Sequence, residues 1–175
     1  AYAGYISGTV TITNCYSTGP ILNAGGICGA YAGYSGTVSV TDCYSTGLIS
    51  GNIAGGICGK DAGYSSGTVT VTNCYSLGNI SGDTAGGICG RDTGSNNGKV
   101  TVTNCYSAGT ITPAGDRGIF GSIASNKTSV TPLNCYEAKG SWSDAVADVS
   151  LNTPTIQHLS SSNESIDPGI TVYVD

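Results

Sequence analysis

The sequence predicts an all-β fold, a parallel β-solenoid of four to five coils of about thirty residues each, and three observations carry that prediction. A hexad beginning at Asn14, "NCYSTG", returns at Asp42, Asn73, Asn104 and Asn134, so its cysteines (Cys15, Cys43, Cys74, Cys105, Cys135) are spaced by 28, 31, 31 and 30 residues. A second element, "AGGICG", carries Cys28, Cys58 and Cys89 and returns as "RGIFG", with Phe120 in the cysteine's place. The third is an alternating run, "GTVTITN", "GTVSVTD", "GTVTVTN" and "GKVTVTN".

The alternating run predicts one strand per coil, because a period of two sends valines to one face and threonines to the other. Val10 and Ile12, Val38 and Val40, Val69 and Val71, and Val100 and Val102 are the expected interior ladder. Thr9, Thr11, Thr68, Thr70, Thr72, Thr101 and Thr103 are the expected outward array, interrupted by Ser39 and Lys99. Glycines at the corners supply the positive backbone angles that tight coil turns require. A unit of this size cannot bury its own apolar face, so stacked neighbours must supply the core. With 28 glycines, one tryptophan, one phenylalanine and no methionine, that core is thin and built from valine, isoleucine, alanine and cysteine. The coil is expected to be right-handed, the usual hand of parallel crossovers.

Two parts are expected: a solenoid over 1–140 and a cap or tail over 141–175 that covers the stack's open edge or contacts a neighbouring subunit. Within the tail, "SWSDAVADVSL" reads as a short helix capped by Ser143 and "GITVYVD" as a strand. The opening "AYAGYISGTV" repeats residues 30–38, so the chain is expected to begin inside a unit, as a processed chain or a fragment would.

Composition excludes some function classes. Charged residues are 10% of the chain and sum to −5, without the clustered Lys and Arg that nucleic-acid binding needs. No apolar run approaches the roughly 20 residues that cross a bilayer as a helix.

The in-phase alternation of "NCYSTGLISG" with "AGGICG" resembles the GLUG-motif repeats of large cell-surface and adhesin-like proteins, and "LNCYEAKGSWS" resembles the segment that closes such arrays. The resemblance covers residues 1–140 and departs from the family at Cys28, Cys58 and Cys89, where valine is usual. It implies an extracellular, surface-exposed β-solenoid rather than an activity.

Eight cysteines in an acidic, glycine-rich chain expected outside the cell favour disulfides. Pairing across columns to the next coil gives Cys28–Cys43, Cys58–Cys74 and Cys89–Cys105 and leaves Cys15 and Cys135. Pairing within a coil gives Cys15–Cys28, Cys43–Cys58 and Cys74–Cys89. The competing reading is that cysteine serves as a small buried hydrophobe in two ladders. Zinc is disfavoured because no short-spaced Cys/His pair exists, and no cofactor is implied. Asn79, Asn126 and Asn163 head N-x-S/T sequons and are candidate glycosylation sites.

No catalytic constellation emerges, so the chain does not read as an enzyme. His158, the single histidine, falls in the tail without an orienting partner. Lys60–Asp61 and Arg91–Asp92 recur from coil to coil and read as a solvated corner where opposite charges offset, ahead of the acid and base of a polysaccharide enzyme. Tyr16, Tyr44, Tyr75, Tyr106 and Tyr136 form a column that reads as a stacked ladder ahead of a sugar platform. The leading functional expectation is a structural module of a fibre or adhesin stalk. Its expected partners are copies of itself, added head to tail, or cell-surface and matrix components. The alternative is an ice-binding or other ligand-binding face built on the threonine array.

Overall fold

The computed structural model describes residues 3–110, 118–121, 130–133, 135–138 and 156–159. The first rung carries β1 (Thr9–Thr13), β2 (Tyr16–Ser17) and β3 (Ile21–Leu22), and the second carries β4 (Thr37–Thr41), β5 (Tyr44–Ser45) and β6 (Ile49–Ser50). The third contributes β7 (Thr68–Thr72) and β8 (Tyr75–Ser76), and the fourth β9 (Lys99–Thr103) and β10 (Tyr106–Ser107). They are followed by β11 (Val130–Leu133), β12 (Cys135–Ala138) and β13 (Ile156–Leu159).

All pairings among the described strands are parallel, and those from β1 to β12 join equivalent positions of successive rungs, which defines a β-solenoid. The long strands form a five-stranded sheet in the order β1-β4-β7-β9-β11. The tyrosine strands form a second sheet, β13-β12-β10-β8-β5-β2, and β3 and β6 pair in a third. Between these sheets, single bridges join Gly25, Gly55 and Gly86, then Cys28, Cys58, Cys89 and Phe120. Phe120 therefore continues the cysteine column, as its place in the repeat predicts.

Val10, Val38, Val69, Val100 and Val130 lie in one register column, and Ile12, Val40, Val71, Val102 and Pro132 in the next. Val38, Val40, Val69 and Val71 are fully buried and pack with Ile57, Ile88, Ala32, Ala62 and the cysteines in one continuous core. Ile21, Ile49 and Ile80 form a smaller cluster with Ala54 and Ala85 at the third corner. Pro132 has no N–H for a ladder, and proline is tolerated on terminal strands such as β11, which ends this sheet among the described residues.

The corner after each long strand is turned by a different residue from the one expected. Asn14, Asp42, Asn73 and Asn104 adopt φ of 54°, 54°, 52° and 52°, the left-handed region that Asn and Asp enter more readily than other side chains. This explains the first letter of the hexad. Their side chains also link rungs: Asn73 Nδ2 donates to Asp42 Oδ1 at 3.1 Å, and Asn104 Nδ2 to Asn73 Oδ1 at 3.2 Å.

One segment of the tail joins the second sheet. Ile156–Leu159 pairs with β12 in register, bringing His158 opposite Glu137 in the strand ladder, where an irregular segment was expected. The open edge of β12 offers unpaired backbone groups that a short extended segment can satisfy. The expected helix at Ser143 and the strand in 169–175 lie outside the described residues.

Glycine is required where rungs touch through their backbones. A Cβ on Gly47 would collide with the carbonyl of Gly19 one rung away, whereas a Cβ on Gly19 meets nothing within 4 Å. Gly47→Ala is expected to destabilise the fold by about 2–3 kcal/mol through overpacking, and Gly19→Ala to shift it by under about 0.5 kcal/mol. Urea unfolding of the two variants checks this, and equal effects would contradict the stacking.

Candidate functional surfaces

Each outward column of the repeat becomes a row of like residues running up the solenoid, and these rows are the candidate sites. On the five-stranded sheet, Thr11, Ser39, Thr70, Thr101 and Thr131 form the central column. Thr9, Thr37, Thr68 and Lys99 flank it on one side and Thr13, Thr41, Thr72, Thr103 and Leu133 on the other. All seven threonines of the expected array therefore share one face. Lys99 is the single charged residue in these columns.

Tyr16, Tyr44, Tyr75 and Tyr106 stack ring on ring, with centroids 5.3, 4.9 and 5.0 Å apart and planes within 11° of parallel. Tyr136 follows in backbone register. Both ring faces of Tyr44 and Tyr75 are covered by their neighbours, so the inner faces a sugar would stack on are consumed. Burial, followed by the proximity of Tyr75, raises the Tyr106 phenol to about 12. A second ladder, Tyr5, Tyr34 and Tyr64, with centroid spacings of 4.9 and 5.3 Å, was not anticipated. The recurring "AGY" at residues 3–5, 32–34 and 62–64 is the signal that would have found it.

The cysteines form two columns facing one thin core, all buried except Cys15. All eight are free thiols, so none of the expected bridges, including Cys28–Cys43, Cys58–Cys74 and Cys89–Cys105, is formed. The reason lies in the corner geometry. After the left-handed Asn or Asp, the thiol turns back to donate to the carbonyl two residues earlier: Cys43 to Thr41 at 3.1 Å, Cys74 to Thr72 at 3.2 Å and Cys105 to Thr103 at 3.2 Å. Sulfur also accepts: the Cys15 N–H reaches Cys43 Sγ at 3.4 Å, and the Cys74 N–H reaches Cys105 Sγ at 3.4 Å. Cysteine thus acts as a small apolar residue that also satisfies corner backbone groups. Valine could do only the first, which accounts for the thiol in the hexad.

The charged corner consists of neighbouring pairs. Lys60 Nζ lies 3.4 Å from Asp61 Oδ2, and Arg91 Nε lies 2.8 Å from Asp92 Oδ2. Lys60 also sits 4.9 Å from the Tyr31 ring centroid. Burial raises the Asp61 carboxyl, and Lys60 partly opposes the shift. Each carboxylate is thereby neutralised by its chain neighbour. Asn79 is exposed, and its Oδ1 accepts the Thr110 N–H at 3.0 Å; Asn126 and Asn163 lie outside the described residues. Among the described residues no group of three or more His, Cys, Asp or Glu side chains is arranged to hold a metal ion, and no helix is long and apolar enough to cross a membrane.

No family model, curated protein or solved structure matches the chain.

Two measurements check the thiol assignment. Denaturation and alkylation without reductant should give eight adducts by mass. Alkaline pH should destabilise the fold in a defined window. Contact with the Cys58 thiol and burial raise Cys28, and burial raises Cys43 from 9.0 to about 11 and Cys105 well above 9.0. The unfolded chain therefore loses these protons first. The thiols' contribution is complete below pH about 9 and falls through about 11 and beyond. A stability curve flat between those values would refute the assignment.

Proposed function

We propose that this chain is a non-catalytic structural module of an extracellular surface protein, a solenoid block that lengthens a stalk or fibre by rung-on-rung addition. The observation that carries the reading is the equivalence of the rungs. From β1 to β12 the paired strands are counterparts in successive repeats, and β1, β2 and β3 are the terminal strands of their sheets. The outer side of the first rung thus offers the same strand positions that every inner rung uses for pairing. Tyr16 and Leu22 on that rung are 66% and 68% exposed, whereas Tyr106, in the tyrosine column, is 8% exposed. A further rung of the same motif is the surface that fits them, and head-to-tail addition of copies yields open filaments. The likeness of the two half-motifs to GLUG repeats supports the extracellular assignment. Asn79 is the described sequon accessible to glycosylation in that setting.

Sedimentation velocity of the 175-residue chain over a wide concentration range is the test. Mass should grow with concentration, and a Tyr16→Glu, Leu22→Glu double variant should stay monomeric, because charge on the outer side of the first rung opposes docking. Wild-type protein that remains monomeric throughout would overturn the end-to-end part of the reading.

A further inference from the structure

We propose that the threonine face binds ice, through a lattice of surface water held in two dimensions. This does not rest on the assembly reading, which uses the ends of the stack and leaves this face open. The argument starts from periodicity. Along a strand, outward residues repeat every about 6.7 Å, and between rungs the spacing is about 4.8 Å. In-register pairing of β1, β4, β7 and β9 repeats both spacings without a slip. A soluble chain ligand is periodic in one direction; a crystal face is periodic in two, as this sheet is.

Chemistry then selects among crystal faces. The columns centred on Thr70 present a hydroxyl and a methyl at each point, and β-branching holds each side chain in few rotamers, so the hydroxyls are ordered before anything binds. Among the described residues, no hydroxyl of the columns containing Thr11, Thr70 and Thr101 has a protein hydrogen-bond partner, which leaves them for water. Carboxylates and aromatic rings, the groups that grip polysaccharides, are absent from these columns: the tyrosine ladder belongs to the second sheet and spends its ring faces on itself. Water bridges polar groups at low entropic cost, and a grid of fixed hydroxyls separated by methyls favours water already in a lattice. Ser39, which lacks the methyl, and Lys99, which adds a charge, are the two defects in the first four rows.

The test uses the intact chain in freezing-point osmometry, with partition into growing polycrystalline ice. Expected are thermal hysteresis and enrichment in the ice fraction, both lost in Thr70→Tyr and both kept in Thr46→Tyr, whose exposed side chain lies outside this sheet. Circular dichroism monitors the fold of each variant. Should Thr70→Tyr misfold, Ser39→Thr and Lys99→Thr decide the matter, because they repair the lattice and should increase hysteresis. Wild-type protein without hysteresis or ice enrichment, repair variants that leave activity unchanged, or retention on crystalline cellulose or chitin in place of ice would each overturn the proposal.

Discussion

The whole structure depends on a backbone ladder that places each rung directly on the next at the strand spacing of about 4.8 Å. That spacing leaves no freedom to interdigitate unlike side chains, so a residue must be acceptable stacked on its own kind. Valine, isoleucine and alanine stack as apolar columns, and tyrosine stacks as parallel rings 4.9–5.3 Å apart. Asparagine stacks by hydrogen bonding, Asn104 donating to Asn73 and Asn73 to the Asp42 carboxylate, each one rung earlier. Charge is the exception, because like charges opposite one another on adjacent strands repel. The chain therefore keeps charge to 10% of its residues, and where Lys60 and Arg91 recur, each is neutralised by the aspartate beside it.

The same constraint decides what can fill the interior. The core is built from valine, isoleucine, alanine and cysteine with Phe120 at one position, and the rung corners leave backbone groups that an aliphatic residue cannot satisfy. Cysteine in the hexad column and serine beside it resolve this in different ways. The thiols return to carbonyls at their own corner, whereas Ser45 and Ser76, fully buried, bond to each other across rungs at 3.2 Å. Gly56, opposite Ser76, has no room for a Cβ, so the hydroxyl column and the glycine column require one another. Stability in such a stack is approximately a sum of nearest-neighbour terms, which is why the motif recurs so faithfully wherever rungs meet.

The sheet and its threonine face were legible because alternation and spacing are properties of the backbone path itself. Residues that matter through three-dimensional juxtaposition were less so. The left-handed role of Asn14, Asp42 and Asn73 was hidden because glycine, far more abundant in the chain, was the obvious turn residue. The Tyr5, Tyr34 and Tyr64 ladder was hidden because its spacing appears only once "AGY" is aligned to the rungs rather than to the cysteines. Pairing of Ile156–Leu159 with β12 has no counterpart in the repeat, since it depends on an open edge rather than on a pattern. Cysteine parity pointed to bridges, but parity carries no information about where a thiol points.

Free thiols and an extracellular role are compatible for the same geometric reason. Oxidation proceeds through the thiolate and needs access to it. Cys28, Cys43, Cys58, Cys74, Cys89, Cys105 and Cys135 are at most 1% exposed. Burial also opposes ionisation at Cys43 and Cys105, whereas the contact with Cys105 lowers Cys74, which burial still keeps from an oxidant. Cys15 alone is exposed, and it occupies the rung whose outer side is open. A rung docked there, as the proposed assembly would place it, would cover Cys15 as the neighbouring rung covers Cys43. Stacking is in this sense both the source of the fold's stability and the protection of its core chemistry.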